Sequence, residues 1–118
     1  MRVMVFVKAT AASERGDFPE PETSEMMAAM GRYNDQLREA GVLVLAEGLE
    51  RSASGRRVSF NGPDRTVADG PFPHPGELVA GFWLWEVEDM DEAVSWVKRC
   101  PNPMAGPSVI EIRAIAED

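Results

Sequence analysis

The chain has 118 residues, 20 of them acidic and 12 basic, and a formal net charge of −8. Its length suits one domain built on one hydrophobic core, which we expect to span residues 1–118. The acidity argues against nucleic-acid binding, because such binding relies on clustered Lys and Arg. A single cysteine excludes an internal disulfide, which fits a reducing compartment, so we expect a cytoplasmic protein. With only one histidine as well, no convergent set of metal ligands is available, and we expect no metal or other cofactor.

The first predicted element is a strand over residues 3–7. Its apolar run is too short for a signal peptide or a membrane span, so no membrane partner is expected. Both sides of its middle are apolar, as is typical of a central strand. Residues 10–24 are rich in small, acidic and proline residues and predict a surface loop, with Thr23 or Ser24 capping the helix that follows.

The first predicted helix carries an apolar stripe and stops at a glycine, Gly41. At helical spacing the stripe contains Met26, Met30, Tyr33, Leu37 and Ala40. A methionine-rich stripe has two interpretations, an adaptable ligand surface or an ordinary packing face. Packing is the commoner use of methionine, so we expect this helix to lie on a sheet.

The remaining sequence predicts strands around one more helix. "VLVLAEGL" predicts a second strand, and "RRVSFNGPDRTVADG" predicts a hairpin that turns at residues 61–64. "LVAGFWLWEV" predicts a strand that is apolar on both sides. Asp89, with Glu92 three residues later, is expected to cap a second helix, and "SVIEIRAIAE" predicts a last strand with one more polar face.

The predicted order is strand, helix, strand, hairpin, strand, helix, strand. This order predicts an α+β fold of the ferredoxin-like βαββαβ type with an inserted β-hairpin, an antiparallel sheet and two helices on one face. The central strands would then expose a second apolar face. A second copy related by a two-fold axis would cover it, so we expect a homodimer with the two sheets face to face.

Four stretches resemble the DGPF branch of the YCII-related family. In chain order they are "AGVLVLAEGL" after the first helix, "ADGPF" before an apolar strand, "VEDMDEAVSWVKRCP" for the second helix and "VIEIR" in the last strand, and the match covers nearly the whole chain. The resemblance implies a dimeric α+β barrel. Relatives in that superfamily include enzymes that use the cleft between helices and sheet. Proteins of the DGPF branch are often associated with sigma-factor systems. YCII-type members carry a helix histidine paired with an acid. The matching position here is Met30, so that acid/base pair is not expected.

Asp69 and His74 are our candidate catalytic residues, because a carboxylate beside an imidazole suits a general base oriented by an acid. Alternating prolines stiffen this loop and could instead hold His74 out in water. The Asp69 carboxylate could instead cap the backbone of its own turn around Gly70. For both residues we favour the structural interpretation, which is an exposed loop position for His74 and a cap of its own turn for Asp69.

Five side chains are predicted to contribute to a ligand pocket between sheet and helices: Tyr33, Glu47, Asp69, Phe72 and Trp83. Glu47, at a strand end, either points to solvent or lines the cleft. Phe72 is expected in the core or at the dimer interface rather than as a stacking surface. Cys100, near a helix C-terminus, is expected to be a buried structural thiol.

Two functions therefore stay open. The first is a homodimer that binds a small organic molecule in the cleft, with or without cofactor-free catalysis; this follows from fold analogy. The second is a non-catalytic regulatory or interaction module that binds a protein partner in a sigma-factor system. An acidic surface would suit a basic protein partner.

Overall fold

The computed structural model describes residues 1–117. Its strands and helices, in chain order, are β1 (Arg2–Lys8), α1 (Ala11–Arg15), α2 (Glu22–Glu39), β2 (Leu43–Gly48), β3 (Arg56–Asn61), β4 (Asp64–Asp69), β5 (Val79–Glu86), α3 (Met90–Lys98) and β6 (Ile110–Ala114). Short 3-10 turns at Ser52–Ser54 and Pro75–Glu77 precede β3 and β5. None of the helices within residues 1–117 is long and apolar enough to cross a membrane.

Four strands form one antiparallel sheet in the order β2, β5, β1, β6. The strand that follows each long helix lies at an edge, and the first strand pairs with both β5 and β6. This is the ferredoxin-like order, which confirms the predicted fold. Strands β3 and β4 form a separate two-stranded sheet, and Gly62 in its turn has a left-handed φ of 58°. The predicted hairpin and its turn are therefore also confirmed.

Helices α2 and α3 cover one face of the four-stranded sheet. In β1, Val5 lies between Trp83 on β5 and Ile112 on β6, which places these side chains on the same face. Leu37 from α2 and Ala93 from α3 are fully buried in the same cluster. The predicted packing of the first helix on the sheet is therefore confirmed.

The other face of the sheet is apolar along its two central strands, β1 and β5, and no helix within residues 1–117 covers it. Met4 lies opposite Leu84, and Phe6 lies opposite Phe82. All four side chains are half-buried rather than buried. The second apolar face is therefore present, whereas the homodimer that would cover it stays a prediction.

The N-terminal ends of α1 and α2 differ from the expectation. Residues 10–24 were expected to be a surface loop, but α1 forms inside them because Thr10 and Ser13 cap its first turn reciprocally. Helix α2 begins at Glu22, ahead of the predicted caps. Thr23 is already in its first turn, and its hydroxyl donates to the Pro19 carbonyl at 2.7 Å. The prediction of Thr23 or Ser24 as cap is therefore wrong.

The C-terminal half follows the prediction more closely. Asp89 accepts a hydrogen bond from the Glu92 amide at 2.9 Å and so caps α3 as expected. The last strand is shorter than "SVIEIRAIAE", since β6 covers only Ile110–Ala114. Its inner residues face the core, and Glu111 and Arg113 lie on the other face, as the alternation predicted.

Candidate functional site

A cavity of about 370 Å³ lies between α2, the sheet and the segment that connects α3 to β6. Helix α2 supplies one wall, β2 and β5 supply the floor, and α1 with residues 49–51 closes one end. Its apolar lining includes Val7, Ala46, Ala80, Trp83, Pro103 and Met104. It is the cleft between sheet and helices in which the sequence predicted a pocket.

Four methionines line this cavity. Met26, Met27 and Met30 come from α2, and Met104 comes from the segment before β6. Met30 and Met104 also pack against the buried core. The two interpretations of the methionine stripe are therefore compatible, because Met30 contacts the core and lines the cavity. Met30 is also the position where the family resemblance places a histidine, so a thioether replaces an imidazole there.

Trp83 is held in the cavity wall by a neighbouring helix residue. Its indole Nε1 donates to Asn34 Oδ1 at 2.8 Å, and Asn34 also lines the cavity. The Trp83 side chain is buried, and its ring contacts the Tyr33 ring edge-to-face at 6.0 Å between centroids. The indole plane therefore has little freedom to rotate.

Tyr33 lies behind this wall rather than in it. Its side chain is only 3% exposed, and its hydroxyl donates to the Trp96 carbonyl at 2.6 Å. Burial raises the pKa of the Tyr33 hydroxyl far above its usual value. Tyr33 is thus a core residue that supports Trp83.

Glu47 lies at the cavity rim. It is paired with Phe82, whose side chain lies on the sheet face opposite Trp83, and it is exposed. Of the two interpretations of Glu47, the structure favours the strand-end carboxylate in water. The cavity wall is therefore mostly apolar on the side that faces the helix.

Glu14 at the closed end of the cavity is engaged by Ser52. The Ser52 hydroxyl donates to Glu14 Oε1, and the Ser52 amide donates to Glu14 Oε2 at 3.0 Å. These hydrogen bonds lower the pKa of Glu14, since they favour the charged carboxylate, and the nearby Arg51 adds to this effect. This carboxylate therefore connects α1 to the turn before β3.

Ser52 also contacts the "DGPF" segment, residues 69–72. The Phe72 amide donates to Ser52 Oγ at 2.9 Å, and the Gly70 amide donates to the Gly55 carbonyl at 2.9 Å. Gly70 lies so close to Ser52 that a Cβ there would overlap the Ser52 carbonyl oxygen. We call this contact between residues 70–72 and residues 51–55 the latch. It requires glycine at position 70 because no side chain fits.

Phe72 is part of the latch and lies outside the cavity lining. The Arg57 guanidinium lies over its ring, 4.1 Å from the centroid, and a Cβ on Gly55 would contact the ring at 3.5 Å. The ring is half-buried. Within residues 1–117, Phe72 thus packs on the turn before β3 and stacks only with an arginine.

Asp69 and His74, the candidate catalytic residues, lie outside the residues that line the cavity. The Asp69 carboxylate is exposed and contacts Arg56 Nε at 3.1 Å across the hairpin. The expected cap of its own turn is wrong, since the Gly70 amide bonds to Gly55 instead. His74 is exposed, with a left-handed φ of 60°, at the start of the 3-10 turn before β5. The structure therefore does not bring these two residues to the cavity.

Cys100 lies outside the residues that line the cavity. The Cys100 thiol is half-buried, and burial raises its pKa to about 12. This agrees with the expected structural thiol. Within residues 1–117 no group of three or more His, Cys, Asp or Glu side chains is placed to hold a metal ion.

Sequence reasoning missed Asn34, Met104, Glu14 and Ser52. One signal existed for Asn34, because Met26, Met30 and Asn34 are spaced by four residues, so Asn34 shares a helix face with two methionines of the apolar stripe. Met104 lies in an irregular proline-containing segment without periodicity. The Glu14–Ser52 contact joins residues that are far apart in sequence, and no local sequence pattern predicts it.

The fold and the cleft define a ferredoxin-like α+β domain with one apolar cavity between sheet and helices. The chain matches the model of the YCII-related domain over residues 1–117 and therefore belongs to the YCII-related family. No curated protein sequence matches it significantly.

Among solved structures, the chain is similar to 5-chloro-2-hydroxyhydroquinone dehydrochlorinase (TftG) from Burkholderia phenoliruptrix AC1100, solved in complex with 2,5-dihydroxybenzoquinone. The identity is 17%, with 94% of this chain and 91% of that chain covered and a TM-score of 0.49. A likeness this distant says nothing about the activity of the present chain.

Proposed function

We propose that the chain binds a compact, largely apolar organic molecule in the methionine-lined cavity, and that it does so as a homodimer. The cavity itself is the observation that carries the proposal. At about 370 Å³ it lies in the size range of small-molecule sites, and such sites are mostly apolar with a few placed polar groups.

The lining indicates the class of ligand. Methionine side chains are flexible and polarisable, so Met26, Met30 and Met104 can adjust to a flat or irregular apolar molecule. Trp83 offers an indole whose orientation is fixed by Asn34. A compact aromatic molecule would gain sulfur–aromatic contacts as well as burial, and is the ligand that this wall suits best.

The homodimer is supported by the uncovered sheet face. Met4, Phe6, Phe82 and Leu84 form a half-buried apolar patch on the central strands. Apolar patches of this kind on small proteins commonly mark interaction sites, and a second copy presents the same surface. The face-to-face arrangement would leave each cavity on the outer, helix-covered side.

We also propose that the chain belongs to the DGPF branch of its family. The support is the latch, which gives a physical reason for "DGPF", since Gly70 cannot carry a side chain and Phe72 packs on Gly55. Sequences of this branch should then pair glycine at position 70 with a small hydroxyl residue at position 52. Frequent loss of one without the other would contradict the assignment.

A thermal-shift screen tests the binding proposal. The purified chain is heated with each member of a library of small aromatic and aliphatic compounds. A ligand that binds only the native state raises the midpoint of unfolding, and above its dissociation constant the rise follows the logarithm of the ligand concentration. We expect such concentration-dependent increases with compact aromatic compounds and none with sugars or polyanions.

Matched variants localise the binding. Met30→Gln keeps a side chain of similar length but puts an amide in the apolar wall, and should remove most of the shift. Asp69→Ala and His74→Ala change exposed residues outside the cavity and should leave it intact. A shift lost in the latter two variants, or no shift with any aromatic compound, would overturn the proposal. Recovery of a protein partner in that case would favour the interaction module.

A further inference from the structure

The inserted hairpin, β3 with β4, stands apart from the four-stranded sheet and is exposed to solvent. Its strands pair with each other and with no strand of the larger sheet in the described chain. Every residue of both strands is exposed. An isolated two-stranded ribbon is marginally stable in water, so this one needs either a rigid base or a cover. We call residues 56–69 the arm.

One side of the arm is apolar. Val58 and Val67 lie directly opposite each other, and Phe60 lies on the same side, opposite Arg65. These three side chains are 50%, 60% and 72% exposed, although the Arg65 guanidinium lies over the Phe60 ring at 4.4 Å. The other side of the arm carries Ser59 and Thr66. We call Val58, Phe60 and Val67 the arm strip.

Exposed apolar side chains are more frequent around the arm than elsewhere along the sequence. Of the eleven large hydrophobic residues that are exposed in the described chain, six lie within residues 44–67. Three form the arm strip, and the others are Val44, Leu45 and Leu49 in and after the edge strand β2. Scattered exposed residues need no explanation, whereas the three residues of the arm strip lie together on one side of the hairpin and form a contiguous apolar surface.

The charge of the arm differs from that of the rest of the chain. Residues 56–69 contain three arginines and two aspartates, a net charge of +1, so the other residues carry −9 of the total of −8. Arg57 and Arg65 both lie over aromatic rings and make no ion pair within residues 1–117. The net positive charge of the arm is thus complementary to the net negative charge of the residues outside the arm in another copy of the same chain.

The shape of the molecule agrees with an uncovered arm. The radius of gyration is 16.0 Å, against about 13.5 Å for a compact domain of this length. The overall dimensions are 47 × 45 × 19 Å, so the molecule is flat. The arm base is held by the latch, in which Gly70 and Phe72 bond to residues 52 and 55. A rigid base positions the arm to reach beyond its own body.

We propose that the arm strip packs on a second copy of this chain, so that the two arms clasp the dimer reciprocally. The proposal rests on the proposed homodimer and specifies a surface that the sheet face alone does not include. In a two-fold dimer the arm of each copy contacts the residues outside the arm of the other copy. The same contact therefore occurs two times in the dimer and buries both arm strips.

Sedimentation velocity of the full chain at micromolar concentrations tests the clasp. Phe60→Asp places a charge in the strip, and Ser59→Asp places the same charge one residue away on the other side of the arm. We expect the dissociation constant of the dimer to rise at least about tenfold in Phe60→Asp and to stay within about twofold in Ser59→Asp. Val67→Thr, which keeps the side-chain volume, should give a smaller increase of about threefold to fivefold and serves if Phe60→Asp fails to fold.

The outcomes separate the clasp from the homodimer. A dimeric wild type whose dissociation constant is unchanged in Phe60→Asp and Val67→Thr would overturn the clasp and leave the homodimer standing. Equal weakening by Ser59→Asp would also overturn it, because charge alone would explain the result. A wild type that is monomeric at these concentrations would overturn both proposals.

Discussion

The latch and the cavity lie side by side but are built in opposite ways. In the latch, backbone groups meet so closely that Gly70 has no room for a Cβ, and Ser52 bonds on both sides. In the cavity, flexible methionines surround open space. Glu14 connects the two, since it bonds to Ser52 and lines the cavity.

The difference separates the latch residues from those that would contact a ligand in the proposed site. In the "DGPF" segment, a tight backbone contact restricts which residues fit. An adaptable apolar wall tolerates many side chains and so leaves no motif. The most recognisable segment of this chain is therefore structural, and the proposed site is made of ordinary residues.

Gly70→Ala should have the largest effect. The new Cβ would overlap the Ser52 carbonyl oxygen and lie 2.7 Å from its carbonyl carbon, so the latch must open. We expect the free energy of unfolding in urea to fall by about 3 kcal/mol or more. Gly76→Ala is the control, since nothing lies within 4 Å of a Cβ there. Equal stability of the two variants would show that the latch is not tight.

Ser52→Ala should have the next largest effect. It removes the hydroxyl that donates to Glu14 and accepts from the Phe72 amide. We expect a loss of about 1–3 kcal/mol in urea unfolding, because two polar partners lose a hydrogen bond. Ser54→Ala in the same turn changes an exposed serine and should stay within about 0.5 kcal/mol of the wild type. A loss of similar size in Ser54→Ala would count against the specific role of Ser52.

Acid should reduce the contribution of this hydrogen-bonded carboxylate. The pKa of Glu14 is lowered in the folded protein from an ordinary value of 4.5, so its stabilising effect is complete above that value. It is lost as the pH falls from 4.5 through the lower folded pKa. The stability difference between wild type and Glu14→Gln, measured in urea at pH 7 and pH 3, should therefore narrow at pH 3. A difference that is constant with pH would refute the assignment.

Asp69→Ala should have the smallest effect. Its carboxylate side chain is 77% exposed, and its ion pair with Arg56 is in contact with water. Exposed pairs contribute little, so we expect a change within about 1 kcal/mol. A double-mutant cycle with Arg56→Ala measures the pair directly. A coupling well above that value, or an altered response to ligands, would return Asp69 to the list of site candidates.

The sequence predicted the fold well because periodicity and turn residues report local structure. The two-sided apolar strand, the hairpin turn at Gly62 and the Asp89 cap are all local signals. Helix α1 was missed because its cap pair, Thr10 and Ser13, lies in a segment whose prolines and acids suggest a loop.

The site was predicted less well because it depends on contacts between distant residues. Of the predicted pocket residues, Trp83 and Glu47 line the cavity, with Glu47 at its rim. Tyr33, Phe72 and Asp69 were chosen for their chemistry, and only packing decides that Tyr33 supports the wall and Phe72 belongs to the latch. No sequence pattern brings Met104 to α2.

Binding of a compact aromatic molecule in the cavity can be observed by methyl NMR of the chain isotopically labelled at its seven methionines and titrated with indole. Four methionines line the cavity, namely Met26, Met27, Met30 and Met104, and Met1, Met4 and Met90 lie outside it. We expect saturable shifts of the first four methyl signals and unchanged signals from the other three. Shifts confined to the other three, or no saturable shift of any signal, would contradict it.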